Sequence, residues 1–97
     1  MPAYKRAMTP RIEIYTTPTC PYCIAAKRLL TQKGADFEEI SVAWDPLGRR
    51  RMSERANGRS TVPQIFVDDR HIGGCDDLYA LEREGELDAL IAGGAAA

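Results

Sequence analysis

RIEIYTTPTCPYCIAAKRLLTQKG, residues 11–34, is the stretch that decides the fold. Arg11 to Tyr15 alternate in β-favoured residues and read as a strand, ended by the turn-rich Thr16-Thr17-Pro18-Thr19. Helical spacing starts at once. From Cys20 to Lys33 the pairs Ala25-Ala26 and Leu29-Leu30 recur at i, i+3/i+4, and Gly34 stands where a helix C-cap is expected. Lys27, Arg28 and Lys33 fall in the C-terminal half of this helix, where cations suit its dipole. A strand that runs straight into a helix is the first half of a βαβ unit.

Working outward, Phe37 to Val42 reads as a second strand, and Trp44-Asp45-Pro46 as the turn that starts a second helix with Pro46 near its first position. That helix runs to about Ala56 and is closed by Asn57-Gly58. Thr61-Val62-Pro63 leads into the apolar strand Gln64–Val67. Asp68-Asp69-Arg70 is a tight-turn composition, so His71-Ile72-Gly73 is the returning arm of a hairpin. Gly73-Gly74 precede Asp76 and Asp77, acidic residues suited to the first turn of a helix carrying Leu78 and Leu81, with Gly85 at its end. Glu86 to Ile91 adds a final turn or two. A parallel βαβ half joined to an antiparallel ββα half predicts an α/β fold, a four-stranded mixed sheet flanked by helices on both faces. Residues 1–10 lack periodicity and contain Pro2 and Pro10, so they read as a flexible leader, 11–92 as the domain and 93–97 as a flexible tail.

Ninety-seven residues suffice for one core and not for two. A formal charge of −1 gives no global field that attracts nucleic acid or an anionic membrane. Arg49-Arg50-Arg51, with Arg55 and Arg59, has no interleaved aromatic residue and follows Glu38, Glu39 and Asp45, so it reads as a solvated helix face with one ligand contact. Ala89 to Ala97, the longest stretch free of charged or strongly polar residues, is far short of the roughly 20 apolar residues that cross a bilayer. Lys5 and Arg6 are followed by no apolar run of a secretory signal. Three cysteines are too few and too odd in number for a secreted disulfide scaffold, which points to thiols in a reducing, cytoplasmic setting.

Cys20-Pro21-Tyr22-Cys23 follows a strand and opens a helix, the context in which a CxxC reads as a redox motif. Unpaired N–H groups and the dipole at a helix N-terminus stabilise a thiolate, and cysteines so placed fall from about 8.5 into the range of roughly 3.5 to 7.5. Cys20 is therefore the expected nucleophile. Cys23, three residues on and one turn deeper, is the expected resolving thiol. The rival is a zinc site, for which Cys20, Cys23, His71 and Cys75 form a legitimate Cys3His set. Cys75 on its own reads as a semi-buried small residue, His71 as a hairpin residue with no general-base role, and Trp44 as packing.

With Cys20-Pro21-Tyr22-Cys23, Thr61-Val62-Pro63 and Gly73-Gly74-Cys75-Asp76-Asp77 in order, the chain resembles the dithiol glutaredoxins of bacteria, within the thioredoxin-like fold. A zinc site would leave the last two motifs without a purpose. The resemblance implies a glutathione-dependent thiol–disulfide oxidoreductase, acting on protein–glutathione mixed disulfides through Cys20 and on protein disulfides through Cys20 and Cys23. It further implies a cis Val62-Pro63 bond that sets the Val62 N–H and C=O beside the Cys20 sulfur, to pair with the cysteine of glutathione. The helix starting at Asp76 then offers N–H groups to the γ-glutamyl carboxylate, Asp77 takes the ammonium, and Tyr22 and Thr61 line the groove. The implied glutathione-binding set is thus Tyr22, Thr61, Val62, Pro63, Gly74, Cys75, Asp76 and Asp77.

Glutathione is the implied co-substrate, and glutathione reductase is met only through it. The implied partners are glutathionylated or disulfide-containing proteins, with ribonucleotide reductase a candidate among them, acted on by a monomer. No resident metal is implied. A glutathione-ligated iron–sulfur cluster between two subunits is a minor capacity of some relatives, and the Pro21-Tyr22 insert argues against it. One departure stands out: Thr17 occupies the position, three before the first cysteine, where many members carry lysine. The expectation is that Arg49 or Arg50 takes more of the contact with the glycyl carboxylate.

Overall fold

The computed structural model describes residues 10–92. The chain runs β1 (Ile12–Thr16), α1 (Pro21–Gln32), β2 (Glu38–Ser41), α2 (Pro46–Arg55), β3 (Gln64–Val67), β4 (Arg70–Gly73), α3 (Cys75–Arg83) and α4 (Leu87–Ile91). The residues before Pro10, expected as a leader, and those after Ala92, expected as a tail, lie outside the described residues.

The strands form one sheet in the order β2-β1-β3-β4. β1 pairs parallel with β2, which requires the crossover that α1 supplies, while β1–β3 and β3–β4 are antiparallel. The β3–β4 hairpin turns on Asp68 (φ 49°) and Asp69 (φ 67°). Two successive left-handed residues match the twist of the flanking strands, and aspartate is among the residues that tolerate that conformation. The mixed α/β sheet expected from the sequence is therefore present.

Period-2 alternation sends the strand side chains into two layers. Ile12, Ile14, Ile65 and Val67 face α1, α3 and α4, packing against Ala26, Leu29, Leu30, Leu78, Leu87 and Leu90. Tyr15 and Phe66 face α2 and meet Val42, Met52 and Ala56. Because both faces are covered, all five residues of β1 are buried, Glu13 included. Arg55 compensates that carboxylate at 2.9 Å. The same guanidinium donates to the Tyr15 hydroxyl (2.9 Å) and Asp69 (3.1 Å), and lies 4.1 Å over the Phe66 ring. Reading Arg55 as part of a solvated arginine face is thus corrected: it follows buried Met52 by three residues and shares its sheet-facing side of α2.

Two further expectations change. Lys27 pairs with Glu39 of β2, and Lys33 with Glu82 of α3 and Asp88 of α4, so these cations join elements instead of serving the α1 dipole alone. Trp44 does not pack. Its backbone is left-handed (φ 59°), its side chain is 99% exposed, and Val42 and Met52 supply the core on that side. Among the described residues no helix is long and apolar enough to cross a membrane.

Candidate active site

β1 ends at Thr16, and the Thr17–Thr19 turn delivers Cys20 to the N-terminus of α1. Cys20 is extended (φ −91°, ψ 112°), its N–H donates to Thr17 O (3.4 Å), and its carbonyl accepts the first helical bond from the Ile24 N–H (3.1 Å). Pro21 takes the first helical position, where its missing N–H costs nothing. The Cys20 Sγ then does what a capping oxygen normally does: it accepts the Cys23 backbone N–H at 3.1 Å. A sulfur held on an unpaired helical N–H, at the positive end of the dipole, is placed to carry negative charge.

Cys23 sits differently. Its side chain is 1% exposed, and burial, with the hydrogen bond and charge of Cys20, pushes its thiol from 9.0 up to about 12. All three cysteines are free. The pair is thus asymmetric, with a half-buried sulfur at the helix mouth and a protonated thiol behind it.

The second wall comes from Thr61-Val62-Pro63, where the Val62-Pro63 bond is cis and Val62 O lies 3.7 Å from the Cys20 Sγ. This segment is held from below by a polar side chain the sequence reading passed over. Gln64 is fully buried; its Nε2 donates to Thr61 O (3.1 Å) and Thr61 Oγ1 (3.3 Å), and its Oε1 receives the His71 Nε2–H at 2.6 Å. Burial, then the nearby Arg59, lowers the His71 pKa. His71 is a hairpin residue, as expected, with the added task of saturating Gln64.

A cleft of about 270 Å³ opens beside Val62. Tyr22, Thr61, Val62 and Pro63 form one side, Gly74, Cys75 and Asp76 the other, so seven of the eight residues expected at a glutathione groove meet there. The eighth, Asp77, lies at the rim: its Oδ2 accepts the Gly74 N–H (2.8 Å) and the Arg59 Nη1 (3.1 Å), which together hold its carboxyl below the usual range. Gly73, at φ 120°, is where only glycine fits, since a Cβ would overlap the Asp77 carboxylate. Cys75, buried at the start of α3, has its pKa raised by that burial.

Arg59 also lines the cleft. It comes from the irregular loop before Thr61, where no periodicity marks a residue as facing a site. A separate cavity of about 430 Å³ is lined by Thr17–Thr19, Val42, Trp44 and Arg49. Of the two arginines expected near Thr17, Arg49 is therefore the one placed there, its Nε donating to Ser60 O (3.1 Å), while Arg50 is exposed. Among the described residues no three His, Cys, Asp or Glu side chains are grouped to hold a metal ion, and Cys20, Cys23, His71 and Cys75 do not form such a set.

A family model described as Glutaredoxin matches residues 12–72. The chain is 55% identical over 82 residues to a glutaredoxin of Pseudomonas aeruginosa, covering 84% of this chain and 96% of that protein. It is 55% identical over 80 residues to glutaredoxin 3 of Escherichia coli, covering 82% and 95%. The solution structure of glutaredoxin from Brucella melitensis superposes with a TM-score of 0.79 at 54% identity, over 90% of this chain and 94% of that one. A crystal structure of a buckwheat glutaredoxin–glutathione complex superposes with a TM-score of 0.77 at 26% identity, over 93% and 84%.

Proposed function

Because this chain belongs to the glutaredoxin family, and so is a glutathione-dependent thiol oxidoreductase, we propose that it works by two routes that share Cys20. In the first, the Cys20 thiolate attacks the glutathionyl sulfur of a protein–glutathione mixed disulfide. The protein thiolate leaves and takes a proton, and Cys20 is left glutathionylated. A second glutathione thiolate attacks that disulfide, releasing glutathione disulfide and restoring Cys20. In the second route, Cys20 opens a protein disulfide, Cys23 attacks the Cys20 sulfur to free the reduced protein, and two glutathiones reduce the Cys20–Cys23 bond.

The observation that carries this reading is the Cys20 Sγ held at the mouth of α1 by the Cys23 N–H, 3.7 Å from Val62 O at the lip of the cleft. The asymmetry of the pair supports the order of events. While Cys20 is reduced, its hydrogen bond and charge help keep the proton on Cys23. Both influences vanish once Cys20 is in a mixed disulfide, so Cys23 becomes a better nucleophile when it is needed.

Glutathione lies with its cysteine paired to the Val62 backbone as a short added strand. Its γ-glutamyl end enters the 270 Å³ cleft at the α3 N-terminus, and its glycyl carboxylate turns towards Arg49 in the neighbouring cavity. Each step uses one chain, and both need reduced glutathione, which suits a cytoplasmic monomer. The test is turnover of a glutathionylated peptide with glutathione, glutathione reductase and NADPH, run beside thioredoxin reductase and NADPH. Activity only with the second reductase overturns the proposal. Arg49→Ala raises the KM for glutathione and Arg50→Ala does not; equal behaviour of the two variants removes the glycyl assignment.

A further inference from the structure

Arg59 and Asp77 meet at the rim of the cleft, Nη1 to Oδ2 at 3.1 Å, both about half exposed. The γ-glutamyl end of glutathione is a zwitterion, with an α-ammonium and an α-carboxylate on one carbon. An arginine–aspartate pair at this spacing is the complement of such a group, since two ion pairs set head to tail place four charges in alternation. The Oδ1 of Asp77 carries neither the Gly74 bond nor the Arg59 bond, so it is available to the ammonium. Arg59 is also close to where the carboxylate arrives: its Nη2 lies 3.4 Å from the place a Cβ on Gly74 would occupy, against the residue that precedes α3.

We infer that Arg59 is a specificity residue for the amino-acid end of glutathione: its guanidinium, paired with Asp77 in the free protein, pairs with the ligand α-carboxylate while Asp77 takes the ammonium. This rests on the γ-glutamyl end occupying the cleft as proposed above. Glutathione thus exchanges one internal ion pair for two shared ones, and a thiol without the zwitterion gains nothing from opening the pair. Because both residues are partly exposed, the expected gain is moderate.

The test compares mixed disulfides of one peptide with glutathione, with 4-aminobutyryl-Cys-Gly, which lacks the α-carboxylate, and with glutaryl-Cys-Gly, which lacks the ammonium. The native protein prefers glutathione over each analogue by roughly two- to fivefold in kcat/KM, the range expected of one partly exposed ion pair. Arg59→Ala and Arg59→Gln lose about that factor with glutathione and change less than twofold with the 4-aminobutyryl disulfide, so that discrimination collapses. Their discrimination against the glutaryl disulfide persists, and Arg59→Lys restores part of the loss. If Arg59→Ala slows the glutathione and 4-aminobutyryl disulfides equally and spares the glutaryl one, Arg59 acts only by holding Asp77 and the inference is overturned; it is overturned too if all three slow equally or none changes. A native protein that is active but treats the three alike removes the γ-glutamyl placement and this inference with it. Inactivity with all three removes the proposed function itself.

Discussion

Cys23 gives its backbone N–H to the Cys20 Sγ over 3.1 Å while its own thiol is buried behind the same helical turn. In the proposed reaction one residue thus stabilises the nucleophile through its main chain and stands in reserve through its side chain. Replacing the side chain leaves the main-chain bond in place. Cys23→Ser therefore retains reduction of a glutathionylated peptide, within severalfold of the native rate, and loses reduction of a protein disulfide. Cys20→Ser loses both. Parallel steady-state assays on the two substrates check this, and equal losses in both variants on the glutathionylated peptide contradict it.

Alkylation reads the same asymmetry in the reduced protein. At pH 7 iodoacetamide labels Cys20 first, because Cys23 and Cys75 are buried with their pKa values raised. Stability follows with a defined sign. The Cys23 thiol ionises near 9.0 when unfolded and near 12 when folded, so its contribution is complete below about pH 9 and is lost as pH rises towards 12. Urea unfolding of reduced protein across that range shows a falling midpoint; the Cys23→Ser variant shows a shallower fall.

Gly73→Ala tests the seat of Asp77 at the rim of the cleft. At φ 120° any L side chain is strained, and the added Cβ overlaps the Asp77 carboxylate that caps Gly74 and pairs with Arg59. The variant loses about 1–3 kcal/mol of stability, and its KM for glutathione rises by more than its kcat falls. Thermal unfolding and steady-state kinetics separate the two effects.

Glu13, whose side chain is 8% exposed, pairs with Arg55 at 2.9 Å and with the exposed Arg11 at 3.4 Å. Arg55→Ala leaves that buried charge with only the exposed Arg11 beside it and costs about 1–3 kcal/mol. The double variant Glu13→Gln/Arg55→Met, which removes both charges, recovers much of the loss. Equilibrium urea unfolding of both proteins measures this, and a single variant as stable as the native protein contradicts it.

Trp44 behaves in the opposite way. Its side chain is almost wholly solvent-exposed and its φ is positive, so Trp44→Gly removes no core contact and relieves a left-handed conformation. Stability is unchanged or rises by up to about 1 kcal/mol, where a packed tryptophan would cost about 3–5 kcal/mol.

Most of the framework was legible because it is written in local chemistry. Pro46 and Gly34 mark helix ends, Asp68-Asp69 fix the hairpin, and the Cys20–Cys23 spacing on a strand-to-helix turn carries the redox pair. What escaped depends on distant partners. A charged residue in the middle of β1 looks like an outward face until Arg55, 42 positions away, reaches it. Trp44 looks like core until its backbone hand is known. Arg59 has no periodic context, and its importance comes from Asp77, 18 positions later. Gln64 did leave a signal: an amide heading an apolar strand needs partners, and here they are Thr61 and His71.

The two layers of the sheet are unequal: among the described residues, eleven buried ones group under α1, α3 and α4 and five under α2. Of the two layers, the α2 layer is therefore the one expected to open at the lower free energy, its amides exchanging with solvent before those of α1. Cys20 and the α3 wall of the cleft belong to the slower half, whereas Val62 packs against the faster one and Arg49 rides on it. The Cys20 sulfur is thus carried on the firmer anvil, while the grip proposed for the glycyl end of glutathione sits on a jaw that yields.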